Sequence, residues 1–322
     1  MDVSQIVSEY GPYMNVGQNA TFIKKKLYQR GVTAASMTSF KTENDIVELA
    51  VGALTDVIQA YQGIWTAKGD LTIIPNKLTL DPIKIDMEID VTKLHGNWIE
   101  FMEGKGILDP VQFPFIAWIV SEHVIPMIQQ NIELFGIFKG VTGLVTPGVA
   151  TEAGASMNGL KSKILANLNL TGSPVLGKIN RVVLDAFTSD GSNAFDNIEK
   201  FVESIPDAYM GIPMNLYMSY KRLTQYRRDK RNTFPALEKF EALIDGYENI
   251  TLIGCPSMAG EEIIFLTPKE NVYYLIKDES NQNTFKIESA HRLVSLFTQF
   301  KLGVGFAVNE AVWAYVPDSQ IH

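Results

Sequence analysis

The run from Lys301 to Asp318 constrains this chain more than any other stretch. Within it Gly303, Gly305, Ala307 and Asn309 alternate with Val304, Phe306 and Val308. That period of two marks a strand with one packed face. The other face carries only small residues, so a second segment can approach the backbone closely. The strand is read as resuming from Ala311 to Val316, and the whole stretch from Asn249 to Asp318 as a series of short strands.

At 322 residues the chain exceeds the ~250–300 at which one core stops growing, which predicts two domains. A hydrophobic share of 46%, with 20% charged, is that of a globular protein. The net charge of −8 argues against a chain that wraps nucleic acid over its whole surface, although a local basic patch fits within it. The single cysteine, Cys255, excludes an internal disulfide framework, fits a reducing compartment and reads as a buried, inert thiol. The N-terminus lacks the charged start and apolar segment of a secretory signal. The longest apolar stretch, Phe113 to Val120, falls short of the ~20 residues that cross a membrane.

The first forty or so residues read as an extended arm with a basic run, Lys24 to Lys26. Thr42 and Asp45 form a capping-box arrangement ahead of a short helix, with Ile46, Val47, Ala50, Leu54, Val57 and Tyr61 on its apolar face. Leu71 to Leu80 then reads as a strand, Asp81 and Pro82 as a turn, and Ile83 to Val91 as the second strand of a hairpin. In that second strand Ile83, Ile85, Met87, Ile89 and Val91 alternate with Lys84, Asp86, Glu88 and Asp90. An isolated hairpin is marginal in water, so one that projects needs a neighbour. Residues from about Pro110 to Lys139 predict a long helix kinked at Pro126, and Gly140 to Gly159 a boundary or mobile loop. Lys178 to Leu184 (strand or short helix), a helix capped by Asn193, a strand Pro213 to Met218, a charged helix Tyr220 to Arg231 and a helix Leu237 to Ile244 follow. Short strands at Ile250 to Gly254, Glu262 to Leu266 and Val272 to Ile276 complete the series.

The residues that carry chemistry are sparse. His95, His123, His291 and His322 share no metal-ligand spacing, and neither a phosphate-binding loop nor a nucleophile elbow is present. Asp86, Glu88 and Asp90 are accounted for by a solvated strand face, and His123 by a core or interface position. The basic cluster of Lys221, Arg222, Arg227, Arg228, Lys230 and Arg231, with Tyr220 and Tyr226, has two readings. One is contact with phosphate or nucleic acid. The other is an exposed helix face, or a patch meeting an acidic patch on another copy, and the acidity of the chain favours it. No catalytic residue, cofactor or metal is assigned.

The order of elements (arm, short helix, projecting hairpin, long helix, mixed domain and closing strands) resembles the Hong Kong 97-like fold of tailed-bacteriophage major capsid proteins across essentially the whole chain. The run from Gly303 to Trp313 is similar to that family's closing strand. The resemblance implies an α+β fold. Its parts would be an arm and short helix over 1–69, an extended loop over 70–92, a peripheral domain over 93–140 and 284–322 with a long spine helix, and an axial domain over 141–283. It further implies a non-enzymatic shell subunit of the virion, assembled in the host bacterial cytoplasm as pentamers and hexamers. The partners implied are a separate scaffolding protein, a portal and weakly held DNA, with no membrane. Lys77, Lys84, Asp86, Glu88, Arg222, Arg227, Arg228 and Arg231 would be inter-subunit contacts. Nothing in the residues supports carrying over the lysine–asparagine cross-link of some family members.

An encapsulin-like nanocompartment shell shares the fold and is the alternative. An enzyme with an inter-domain cleft would require convergent His, Cys or carboxylate groups, which the sequence does not offer. A nucleic-acid-binding module built on Tyr220 to Arg231 would require steeply salt-dependent affinity.

Overall fold

In the computed structural model, residues 8, 10, 13, 17–27, 31–54, 56–106, 114–172, 174–234, 243–244, 247–277, 285–290 and 293–321 are described. The first strands are β1 (Thr38–Thr42), β2 (Ile46–Leu54), β3 (Leu71–Thr79), β4 (Asp81–Asp90), β5 (Asn180–Arg181) and β6 (Met214–Ser219). They are followed by β7 (Leu243–Ile244), β8 (Tyr247–Cys255), β9 (Ile264–Pro268), β10 (Val272–Lys277), β11 (Lys286–Ala290), β12 (Leu293–Phe306) and β13 (Trp313–Tyr315).

One sheet runs in the order β1-β10-β12-β11, with β4 also paired to β12. A second runs β5-β13-β9-β6-β8-β7, and β2 with β3 forms a separate two-stranded ribbon. β12 is central because it is long and fully patterned. Val294, Leu296, Phe300, Leu302, Val304 and Phe306 are all buried in the core that the first sheet shares with the long helix.

The expected hairpin partners are corrected. β3 pairs antiparallel with β2, from Ile46 opposite Thr79 to Leu54 opposite Leu71. β4 instead pairs with β12, from Asp81 opposite Leu302 to Asp90 opposite Leu293. The helix expected after Thr42 is therefore a strand, and the turn expected at Asp81 and Pro82 is a handover between sheets. Thr42 does not cap a helix: its Oγ1 accepts from the Asn44 amide at 3.0 Å. The Asp45 carboxylate is held by Lys277 and Lys301, the latter at 2.8 Å.

The long helix is continuous over 115–136, with π turns at Ile119–Val124 and Ile132–Gly136. Pro126 sits in the first turn of the α-helical segment Ile125–Asn131, where its missing amide proton is tolerated because the π turn lies immediately before it. Phe115 to Val120 are all buried, so the longest apolar stretch is a core helix. Residues 110–113 of the expected helix lie outside the described residues.

Asn193 stands at the N-cap of Ala194–Glu203 without capping it through its side chain, which accepts from Thr188 instead. The expected helix Leu237 to Ile244 lies mostly outside the described residues, and its last two residues form β7. β10, inside the range 141–283 expected to form one unit, pairs with β1 and β12.

The strand expected to resume at Ala311 is also corrected. β12 ends at Phe306, a short turn of helix spans Asn309–Ala311, and β13 enters the other sheet between β5 and β9. An aromatic stack bridges the layers here. Phe265 of β9 lies parallel to Tyr217 of β6 (4.6 Å between centroids) and edge-on to Phe306 of β12 (5.7 Å).

Candidate assembly surfaces

The ribbon of β2 and β3 is anchored at its base and free at its tip. The anchor uses the small-residue face of β12. A Cβ on Gly303 would sit 2.3 Å from the carbonyl oxygen of Thr79, and one on Gly305 would sit 2.5 Å from Leu78 Cδ2. Side chains at these positions would hold β3 off the sheet. Asn76 Nδ2 donates to the carbonyls of Phe306 (2.6 Å) and Ala307 (3.1 Å), and the Leu80 amide donates to the Asp45 carbonyl (2.9 Å). Leu78 and Leu80 are buried over Leu275. The Asp45 carboxyl is held below its ordinary range by hydrogen bonds from Lys277 and Lys301. The ribbon thus leaves the body in a fixed direction.

At the other end, residues 56–70 close on themselves. Lys68 Nζ reaches Asp56 at 2.7 Å, and Gln59 Nε2 donates to the Thr66 carbonyl at 2.8 Å. The loop turns its apolar side chains outward: Tyr61 is 97% and Trp65 91% exposed, and Ile58 and Ile64 are each 80% exposed. This concentration of large apolar groups in water is the surface expected of an interaction site.

A concave counterpart lies between β4 and the long helix. Ile85, Met87 and Ile89 face Trp118, Ile119, Met127 and Ile128 across a groove of about 600 Å³. Val124, Asn97, Asn131, Glu88, Asp90 and His123 complete its lining. His123 stands exposed, with its ring edge-on to Trp118 at 4.7 Å.

The charged residues singled out in the sequence divide into several groups. Lys77 pairs with Glu48 across the ribbon at 3.0 Å. Lys84 is on β4 rather than on the projecting ribbon, and it reaches Asp86 at 2.8 Å. Asp86 and Glu88 are exposed, as a solvated strand face requires.

Arg222 is directed inward: its guanidinium lies 3.8 Å from the Phe187 ring centroid, donates to Gln225 at 3.0 Å and sits 3.8 Å from Glu262. Burial draws its pKa down, and Glu262 opposes that shift. Lys230 is buried as well, so the reading of this helix as one exposed basic face holds only for Lys221, Arg227, Arg228 and Arg231. The helix Tyr220–Thr233 starts where Ser219 Oγ accepts from the Arg222 amide, and its basic residues lie on two faces, with Arg222 and Lys230 buried and the others exposed. Arg228 donates to the Asp190 carbonyl.

Among the described residues no group of three or more His, Cys, Asp or Glu could hold a metal ion, and no helix is long and apolar enough to cross a membrane. Composition hid two features, the tip and the groove. The tip was legible only as apolar residues next to Gly63 and Gly69, and the groove requires β4 to leave β3.

No family model and no curated protein matches the chain. Solved structures do. The chain is similar to one in a satellite phage P4 procapsid that includes a size determination protein, with 14% identity and a TM-score of 0.55, over 93% of this chain and 89% of that one. It is also similar to the capsid of an empty GTA particle (11% identity, TM-score 0.56, 89% and 90% covered). The native GTA particle gives 12% identity and a TM-score of 0.55 over the same shares. Identities this low carry fold alone, and the fold is the Hong Kong 97-like capsid fold.

Proposed function

We propose that this chain is a shell subunit, many copies of which close into an icosahedral head around the DNA of a tailed phage or prophage. The observation that carries the reading is a capsid fold extending over about nine-tenths of the chain. The finer parts follow from it. Residues 115–136 would serve as the spine helix, and the sheet around β12 as the peripheral domain. The sheet around β6 would serve as the axial domain, and the ribbon of β2 and β3 as the extended loop.

Lys77, Lys84, Asp86 and Glu88, together with Arg227, Arg228 and Arg231, would meet neighbouring copies, whereas Arg222 supports the basic helix from within. A separate scaffolding protein, a portal and weak contact with packaged DNA belong to the same reading, as does residence in the virion. Obligate interfaces of this kind bury on the order of 2,000–5,000 Å².

Negative-stain electron microscopy of the purified protein, alone and with the products of neighbouring genes, tests it. Closed shells, tubes or rings of five or six are expected, and DNA rather than cargo protein should co-purify with closed shells from an infected or induced host. A uniform monomer or dimer at high concentration in both preparations would refute it, and an enclosed cargo enzyme would move the assignment to a nanocompartment.

A further inference from the structure

We infer that the exposed basic face of the helix Tyr220–Thr233 in one copy pairs with an acidic face, on the helix Ala194–Glu203, of the next copy, forming an ionic seam that repeats around a ring; this rests on the shell-subunit reading above and gives its basic residues a partner surface. The topology brings the two helices together. In the second sheet β5, β13, β6 and β8 all run parallel, because β9 pairs antiparallel with both β13 and β6. The helix Ala194–Glu203 crosses from β5 to β6, and Tyr220–Thr233 crosses from β6 to β8. Right-handed crossovers put both on one face of the sheet.

The packing agrees. Ile198, Phe201, Leu223 and Tyr226 share a core with Leu216 and Leu252, whereas Tyr217 and Phe265, on the opposite face, belong to the core of the long helix. The two helices lie side by side, with Phe195 stacked on Tyr226 at 5.8 Å. Tyr209, just past the first, meets Trp313 of β13 at 4.8 Å, and Tyr220 opens the second against Gly254 of β8.

Charge is sorted between them. The first exposes Asp196 and Glu203, with Asp207 in the turn beyond, and the second exposes Lys221, Arg227, Arg228 and Arg231. Other charges of this layer are used within the chain. Lys200 reaches Asp185 at 3.1 Å, Asp229 accepts from the Phe195 amide at 2.9 Å, and Arg222 is turned inward onto Phe187. Among the described residues Asp196, Glu203, Asp207, Lys221, Arg227 and Arg231 make no ion pair, although the two helices touch. Opposite charges kept apart within one molecule stay available to a second. Their spacing matches too, because Asp196 and Glu203 stand two turns apart, roughly 10 Å, as do Lys221 and Arg228.

The sheet order sets how copies meet. It ends at β5 on the side of the acidic helix and at β7 on the side of the basic one. Copies set edge to edge, with their helices on a common face, bring the basic helix of one beside the acidic helix of the next. The two surfaces differ, so the contact propagates and can close as a ring. Exposed ion pairs are individually weak and screened by salt, so the seam selects the neighbour and its register while other surfaces supply the burial.

Assembly thresholds of full-length chains, read by light scattering with electron microscopy of the products, test the seam. Arg227→Glu with Arg231→Glu, or Asp196→Lys with Glu203→Lys, sets like charges across it. Either pair should raise the concentration needed for assembly roughly tenfold and leave the melting temperature of the free subunit unchanged. All four changes in one chain restore opposite charges and should bring the threshold back to within about threefold of the unaltered protein, whereas damage to the fold would accumulate. An unchanged threshold in either double variant, or no recovery in the fourfold one, would overturn the seam and leave the shell reading standing. An arginine variant that assembled normally but retained less DNA would overturn it in favour of a nucleic-acid contact. Failure of the unaltered protein to assemble at all would overturn both readings.

Discussion

Replacing Gly303 with alanine tests how the ribbon is fixed to the body. The new Cβ would lie 2.3 Å from the Thr79 carbonyl oxygen, where ordinary contact begins at 3.4 Å, so β3 must lift by about 1 Å. The obstacle is backbone and has no rotamer to escape into. Overpacking of this sort costs about 1–3 kcal/mol, and the lift weakens neighbouring hydrogen bonds worth about 1 kcal/mol each. Alanine recovers roughly 0.5–1 kcal/mol of glycine's backbone entropy. The net loss of ribbon docking is about 2–3 kcal/mol.

At Gly305 the same change meets Leu78 Cδ2 at 2.5 Å, the end of a side chain that can rotate, and should come out near zero. Hydrogen exchange at the Leu80 amide, which is bonded to the Asp45 carbonyl where Lys277 and Lys301 tie the ribbon's base to the body, reports how firmly that base is held. Gly303→Ala should lower its protection roughly 30- to 150-fold, and Gly305→Ala should change it little. Unchanged protection in Gly303→Ala, or an equal loss in Gly305→Ala, would refute the account of the small-residue face.

Three further outcomes are expected. A Cβ at Gly31 would lie 2.3 Å from the buried, unpartnered Glu133 Oε2, and that carboxylate is restrained because its other oxygen accepts from the Thr33 amide at 2.8 Å, so Gly31→Ala should destabilise the chain by about 1–3 kcal/mol in thermal melts. In a Glu133→Ala background most of that cost should vanish, and additive effects would exclude the clash. Because the folded Asp45 carboxyl titrates below its ordinary 3.8, its contribution is full above that value and is lost as pH falls through the folded one. The difference in melting temperature between wild type and Asp45→Asn should therefore be constant near neutrality and close below pH 3.8; a gap that widened on acidification would contradict the pairing with Lys277 and Lys301. Burial pushes the Cys255 thiol up to about 12, so iodoacetamide at pH 8 should label it only after unfolding in urea, and rapid labelling of the native protein would show that it is accessible.

What the sequence revealed and what it hid follow from the range of the interactions. The alternation in β4 and in β12 was readable because each strand packs one face on a core, which writes a period of two into the residues. The glycine face of β12 even announced that something would cross it. What crosses it, β3, lies more than 200 residues earlier in the chain, and no local pattern records that partner.

β2 was misread because Ile46, Val47, Ala50 and Leu54 fall as readily on a helical stripe as on a strand. Thr42 and Asp45 looked like a capping box, but the first turns back on Asn44 and the second serves two distant lysines. Pro82 suggested a hairpin turn, yet the chain continues straight into another sheet at its edge. In the basic helix, the charge count overstated the exposed face. The residue that determines this is Phe187, whose ring takes the Arg222 guanidinium inward from a distant part of the sequence.

The position of β12 and β13 also sets when the protein can fold. β12 lies in the middle of one sheet and β13 between two strands of the other, so the first sheet is continuous only once Phe306 has been synthesised and the second only once Tyr315 has. A growing chain must carry β4 without its partner until β12 is made, and β5 without its partner until β13 is made, with long loops still to close. Such open edges are where wrong partners attach. The same delay bears on the ribbon, because the docking site for β3 on Gly303 and Gly305 is made only near the end of the chain. The ribbon gains its fixed direction only once β12 is in place, and incomplete chains hold β2 and β3 without that anchor.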